Sequence, residues 1–170
     1  MTTLEKHKFK KEKIHQPNNQ KVERLIFASY LAMIKNSVGS KAFKNYYAKV
    51  NGVKKDVMKN GKNSCAFFVS SILLTFELIQ HFHATVIGLE KDLQASGWEE
   101  TKKPKIGSII VWEPKKDKEN EIHKHVGFYI GNKKAISNDP QKGAPIIHHW
   151  TYNHRRNIEK IYWHQKLYEK

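Results

Sequence analysis

The chain has 170 residues, enough for one domain with a hydrophobic core. Lysine and arginine number 31 against 16 aspartates and glutamates, and the resulting net charge of +15 favours polyanionic partners such as nucleic acid, anionic lipid or an acidic cell-wall polymer. The single cysteine, Cys65, excludes an intramolecular disulfide and any zinc site with two or more thiolates. No apolar run is long enough to predict a membrane-spanning helix.

Residues 1–20 are rich in lysine and poor in apolar side chains, which predicts a flexible basic N-terminal arm before a single domain over residues 21–170. The apolar stretch 25–34 resembles a signal-peptide core, but glutamates precede it and no small-residue cleavage site follows closely. We therefore expect no cleaved signal, which leaves open a cytoplasmic location or export by another route.

The first half of the chain shows the periodicity of helices. Apolar residues recur at helical spacing over about 20–36, 64–81 and 85–96, and the second of these segments is apolar on all faces, which predicts a central buried helix. Thr85 is the expected N-cap of the third helix, and Gly97 is expected to end it. Residues 41–50 fit a short helix or a strand, and Asn51-Gly52 is a strong turn signal.

From Trp98 onward the apolar period changes to two, which indicates β-structure. We predict five antiparallel strands, at 108–112, 125–131, 134–138, 145–150 and 158–164. Asn132-Lys133 should connect the second and third strands as a hairpin, and residues 114–121 should form a charged loop. Helices followed by antiparallel strands predict an α+β fold.

Cys65 lies where a polar loop, residues 59–63, meets the second predicted helix. In the first turn of a helix, unpaired N–H groups and the helix dipole favour an anion, so the thiol is biased toward the nucleophilic thiolate. The same N–H groups can donate to an oxyanion. The alternative is a structural cysteine, because free cysteine is often a small buried hydrophobic residue.

A thiolate nucleophile needs a base within hydrogen-bond reach and a third group that orients the base. His125, which opens a predicted strand beside the charged loop, is the best candidate base. Ser137, Asn138 and Asp139 on the next strand are the candidates for the third group, and an acceptor on Asn138 or Asp139 could fix the imidazole tautomer. Ten histidines in the chain keep a structural role for His125 open.

The order of these residues resembles the NlpC-type and CHAP-type cysteine peptidases of the papain-like superfamily. The resemblance rests on three segments: Asn63-Ser64-Cys65-Ala66, Pro104-Lys-Ile-Gly107 and His125-Val-Gly-Phe-Tyr-Ile-Gly131. It covers about residues 60–140, and the interval of 60 residues between Cys65 and His125 suits the compact members of the superfamily.

The chain departs from that family at two points. Ser64 and Ala66 flank the cysteine where the family commonly has Asp-Cys-Ser-Gly, and Ser137 stands at the position of the family's third histidine. We therefore expect Asn138 to orient the base, with Asp139 and Ser137 as alternatives.

The resemblance implies a papain-like fold, with the cysteine-bearing helix packed on the C-terminal sheet, and the chemistry of a thiol hydrolase. His125 would take the thiol proton, Cys65 would attack an amide carbonyl, and the Cys65 N–H and Ser64 would hold the oxyanion. Water would then clear the acyl-enzyme. The family's usual substrates imply a peptide of peptidoglycan type, and neither a cofactor nor a metal is expected.

Three other hypotheses stay open. The first is a metal site built from histidine pairs, although no His-Glu-x-x-His helix supports it; the pairs are His81 with His83, His123 with His125, and His148 with His149. The second is a basic nucleic-acid-binding domain that uses aromatic residues such as Phe128, Tyr129 and Trp150 for stacking. The third is an inactive or binding module of the same fold, because the third family position is a serine.

Overall fold

A computed structural model describes residues 21–116 and 120–168. The predicted basic arm, residues 1–20, lies outside the described residues. The described part is a mixed α+β structure, with three α-helices, a two-stranded sheet and a six-stranded antiparallel sheet, so the predicted class is confirmed. Among the described residues, no helix has the length and apolar character needed to cross a membrane.

The helices and strands follow one another in a simple order. The helices are α1 (Ile26–Asn36), α2 (Cys65–Thr75) and α3 (Val86–Ala95). The strands are β1 (Tyr47–Val50), β2 (Val53–Asp56), β3 (Trp98–Glu100), β4 (Ile109–Lys116), β5 (Ile122–Gly131), β6 (Lys134–Asp139), β7 (Ala144–His149) and β8 (Ile158–His164). A short 3-10 turn follows at Gln165–Leu167. The large sheet has the order β3-β8-β4-β5-β6-β7, which places β5 and β6 side by side.

The helices agree with the predicted periodicity but not with all predicted ends. Helix α3 is capped as expected, since the Thr85 hydroxyl accepts a hydrogen bond from the Gly88 N–H at 3.1 Å. Helix α2 is shorter than predicted and stops at Thr75, because Glu77 takes a left-handed φ of 56° and the chain turns there. The apolar run continues to Ile79 because Leu78 and Ile79 are buried outside the helix.

The strands are where local turn residues predict them, except that β2 and β3 were not predicted. Asn132 and Lys133 both have positive φ and join β5 to β6 as a tight hairpin, and Asn51-Gly52 does the same for β1 and β2. The sixth strand is β3, a three-residue strand that pairs with β8 and is too short to show a period. Strand β4 runs past a register shift to Lys116, so the predicted loop over 114–121 begins later.

The core holds the start of α2 against the middle of the sheet. Phe68 of α2 meets Phe128 of β5 edge to face at a ring distance of 5.4 Å, and Val69 and Ile72 are fully buried in the same cluster. Burying a side chain of this size contributes roughly 1.5–3 kcal/mol. The predicted central helix is therefore confirmed, and its first residue, Cys65, is fixed over β5.

Candidate functional site

Cys65 is the first residue of α2 and stays partly exposed, whereas Ser64 before it is fully buried. Ser64 occupies the N-cap position without a side-chain capping bond, and its hydroxyl has no hydrogen-bond partner among the described residues. Backbone N–H groups of Ala66 and of Val126 in β5 lie close enough to the sulfur to favour its thiolate form. The sulfur therefore lies next to the backbone of β5, one residue from His125.

The sulfur of Cys65 is surrounded by protein although part of the residue is exposed, and this desolvation determines its protonation state. The dense surroundings raise its pKa above the ordinary value, although the backbone N–H groups and the charge of Arg156 act in the opposite direction. The prediction that the helix start biases this thiol toward thiolate is wrong for the resting protein. Desolvation of the thiolate is the largest contribution to this pKa, and the N–H groups and Arg156 offset it only in part.

His125 lies on β5 and is only 7% exposed. Its ring packs against the indole of Trp112 at 5.5 Å and lies 6.2 Å from the ring of Tyr152. Burial, followed by the positive charges of Arg156 and His148, lowers the pKa of His125 to about 3. The imidazole is consequently neutral at physiological pH.

Ser137 of β6 joins His125 to two further polar side chains. Its Oγ lies 2.9 Å from His125 Nε2, 2.8 Å from His148 Nε2 and 2.9 Å from the Tyr152 hydroxyl. His148 lies on β7, and its ring stacks on that of Tyr152 at 4.0 Å. Four side chains from three consecutive strands and the loop after them thus form one hydrogen-bonded group.

The hydrogens of this group can be assigned from one contact. His148 Nδ1 lies 2.8 Å from the carbonyl of His149, which can only accept, so Nδ1 carries the hydrogen. Burial lowers the pKa of His148, so the ring is neutral and its Nε2 must accept the Ser137 hydrogen. Ser137 has no second hydrogen and therefore accepts from His125 Nε2–H and from the Tyr152 hydroxyl. His125 is left with an unprotonated Nδ1.

The structure contradicts the choice of Asn138 as the group that orients His125. The Asn138 amide donates to the Gly61 carbonyl at 2.7 Å, and its Oδ1 is buried without a partner among the described residues. Asp139 accepts from the backbone N–H groups of Gln141 and Lys142 and so closes the next loop. Ser137, the remaining candidate, is the one that contacts the imidazole.

The reason is the alternation of side chains along β6. Gly127 of β5 pairs with Ser137, and β6 pairs with β7 through Ser137 and Asn138 without a register shift, so Asn138 faces the opposite side of the sheet from Ser137. Gly127 permits the contact, because a Cβ there would lie 2.5 Å from the Ile136 carbonyl and 2.7 Å from the Ser137 Cβ. The space beside Gly127 is therefore occupied by the backbone of Ile136 and the side chain of Ser137.

A cleft of about 310 Å³ opens beside this group. It is lined by Lys115, His125, Pro140, Tyr152, Arg155 and Arg156. Tyr152, Arg155 and Arg156 come from the turn between β7 and β8, which the sequence patterns did not connect with the site. No spacing rule links that turn to Cys65 and His125, because only the sheet order brings them together.

The histidine pairs considered as chelates have other neighbours. His83 Nε2 lies 2.7 Å from Asp92, His123 lies 3.2 Å from Glu121, and His149 Nδ1 accepts from Thr151. No cluster of three or more His, Cys, Asp or Glu side chains suited to a metal ion occurs in the part of the chain that the structure describes.

A scan against models of known protein families finds no match to this chain, and a search of the curated proteins finds none either. Its function is therefore inferred from the geometry of the site.

Proposed function

We propose that this protein is a cysteine hydrolase of papain-like fold that cleaves an amide bond in a peptide substrate. The observation that carries the proposal is the hydrogen-bonded chain from His125 through Ser137 to His148. This chain holds Nε2 of His125 as a donor and leaves Nδ1 as an unprotonated base on the strand that approaches the Cys65 sulfur. Cys65 is the proposed nucleophile and His125 the proposed general base.

The resting pair is a neutral thiol and a neutral imidazole, and no hydrogen bond joins Cys65 to His125 among the described residues. Catalytic hydrogen bonds commonly tighten only when substrate binds. In the proposed reaction the thiol proton passes to Nδ1 of His125 as the sulfur attacks the carbonyl carbon. The low pKa of His125 then makes the imidazolium a strong acid, which protonates the leaving amine as the carbon–nitrogen bond breaks.

Hydrolysis of the thioester completes the cycle. Nδ1 of His125, again unprotonated, takes a proton from water as the water oxygen attacks the acyl carbon. The imidazolium then returns that proton to the Cys65 sulfur as the carbon–sulfur bond breaks, so the acid departs and the thiol and the neutral imidazole are restored. The oxyanion of each tetrahedral intermediate would be held by the Cys65 N–H at the start of α2 and by the Ser64 hydroxyl. The Ser64 hydroxyl has no partner among the described residues and so is free to donate, but it is fully buried and would have to turn toward the substrate to take this role.

A peptide of peptidoglycan type is the proposed substrate, in line with the resemblance to the NlpC-type and CHAP-type peptidases. The net charge of +15 fits attraction to an anionic wall polymer.

The pKa shifts of Cys65 and His125 favour a second candidate function, that of a non-catalytic binding module of the same fold. A raised thiol pKa and a lowered imidazole pKa both hold the pair in its less reactive form. Such a module would bind the same peptides without cleaving them.

The deciding experiment incubates the full-length protein with solubilised peptidoglycan peptides and follows new amino groups together with the mass of the protein. We expect product from the natural protein, an acyl adduct on Cys65 at short times, and loss of both in Cys65→Ala. His125→Gln should lose turnover, whereas His81→Gln, which changes an exposed histidine outside the cleft, should retain it. Product formation that survives in Cys65→Ala would refute the mechanism, and peptide binding without product or adduct would favour the binding module.

A further inference from the structure

We propose that the cleft beside His125 binds a carboxylate group of the substrate, close to the bond that is cleaved, through Arg155 and Arg156 with Lys115 at its mouth. The identity of the bound molecule as a substrate rests on the proposed hydrolase function, whereas the preference for an anion rests on the cleft alone. Three features of the cleft support this: the charges that line it, the hydrogen-bond partners of Arg156, and the geometry of Arg155.

The side chains that line the cleft are unbalanced in charge. Three are cationic, and no acidic side chain is among the described residues that line the cleft. Glu113 and Asp139, two described carboxylates that adjoin lining residues, have other partners, because Glu113 accepts from the N–H and side chain of Asn157 and Asp139 accepts from backbone N–H groups of its own loop. A volume of about 310 Å³ suits a side chain or a chain end rather than a folded partner.

Arg156 is half-buried and is held by carbonyl groups instead of a carboxylate. Its Nε and Nη2 donate to the Glu113 carbonyl at 3.1 and 2.9 Å, and Nη2 also donates to the His123 carbonyl at 2.9 Å. It forms no ion pair with an acidic residue that the structure describes. A charge withdrawn from water is normally paired, and here carbonyl dipoles and the charge of Glu113, which forms no direct ion pair with Arg156, offset the desolvation only in part, since burial still lowers the pKa of Arg156. A bound anion would place a negative charge in contact with the guanidinium.

Arg155 has the geometry of an anion clamp. Its Nε donates to the Tyr152 carbonyl at 3.0 Å, and its two terminal nitrogens have no hydrogen-bond partner in the described parts of the chain. A guanidinium that is held through its Nε can offer parallel N–H groups from its two terminal nitrogens to both oxygens of a carboxylate. Since Tyr152 also contacts Ser137, this clamp is tied to the same group that orients His125.

The test uses two reagents that alkylate thiols with the same leaving group, anionic iodoacetate and neutral iodoacetamide. Both rates are measured at Cys65 in the full-length protein, and their ratio is compared with the ratio in the urea-unfolded chain. Taking the ratio removes differences in thiol pKa and accessibility. In low salt we expect the folded protein to favour iodoacetate by roughly threefold for each cation near the reagent. High salt should abolish the preference.

Arg155→Gln should lower the ratio by about threefold. Arg24→Gln removes the same charge from an exposed site near α1 and should leave the ratio unchanged, which separates the cleft from the general basicity of the chain. Equal ratios in the folded and unfolded protein, or a ratio insensitive to Arg155→Gln, would overturn the proposal.

A second measurement decides the case in which Cys65 does not react in the folded state. At matched ionic strength, N-acetylglutamate should raise the thermal midpoint more than N-acetylglutamine, and the difference should vanish in Arg155→Gln. Equal effects would overturn the proposal, and stabilisation by inorganic phosphate but not by N-acetylglutamate would overturn the assignment to a carboxylate. Neither measurement requires turnover. An anion preference without hydrolysis would refute only the proposed hydrolase function. Hydrolysis without an anion preference would refute only the carboxylate subsite.

Discussion

Acidification should destabilise this protein through His125, and the effect has a calculable size. The folded-state pKa of His125 is about 3, against an ordinary value of 6.5. Between these values the unfolded chain binds a proton at this position and the folded protein does not. Stability attributable to His125 is therefore present above the unfolded pKa and is lost as the pH falls through the window between 6.5 and about 3.

Within that window the free energy of unfolding changes by about 1.4 kcal/mol per pH unit for one group. The shift of His125 then corresponds to about 2 kcal/mol lost between roughly pH 7 and pH 5, and to about 5 kcal/mol over the whole window. Burial also lowers the pKa of His148 and of His164, so these groups add to the loss with the same sign.

Urea unfolding followed by circular dichroism at about pH 7 and pH 5 measures this difference directly. His125→Gln keeps a donor near Ser137 but removes the titration, so its loss on acidification should be smaller than that of the natural protein by about 2 kcal/mol. His81→Gln, at an exposed position, should behave like the natural protein. Identical pH dependence in the natural protein and in His125→Gln would refute the claim that a buried neutral imidazole lies at this position.

Three further predictions concern residues of β5 and β6. Under the proposed mechanism, Ser137→Ala should lower kcat by about tenfold to a hundredfold, since the proposed general base, His125, loses the group that fixes its tautomer, and should shift the pH profile. Asn138→Ala should instead lower the free energy of unfolding by roughly 1–2 kcal/mol, because the hydrogen bond to Gly61 is lost, and should leave the pH profile unchanged. A larger loss of kcat in Asn138→Ala than in Ser137→Ala would show that Asn138, not Ser137, orients His125. Gly127→Ala should destabilise by about 1–3 kcal/mol in thermal unfolding, because its Cβ would meet the Ile136 carbonyl at 2.5 Å; an unchanged midpoint would contradict the close approach of the strands.

Features that depend on a few neighbouring residues could be predicted from the sequence. The turn at Asn132-Lys133 and the cap at Thr85 are such cases, because a left-handed φ or a hydroxyl within reach of a free N–H is a local property. The α+β order and the burial of the helix that begins at Cys65 also follow from the period of apolar residues. The end of that helix could not be predicted from the apolar pattern, because Leu78 and Ile79 after Thr75 are buried without being helical.

The helix that presents Cys65 and the strand that carries His125 follow from the sequence alone, since periodicity and turn residues act over a few positions. That Ser137 rather than Asn138 contacts the His125 ring is a tertiary feature, because it depends on strand register and on which side chains share a face of the sheet. The tertiary structure also decides the protonation states, since a helix start favours thiolate locally whereas burial by the whole domain raises the thiol pKa and lowers that of the imidazole. Desolvation depends on every group packed around a site, and for that reason no short stretch of sequence reveals it.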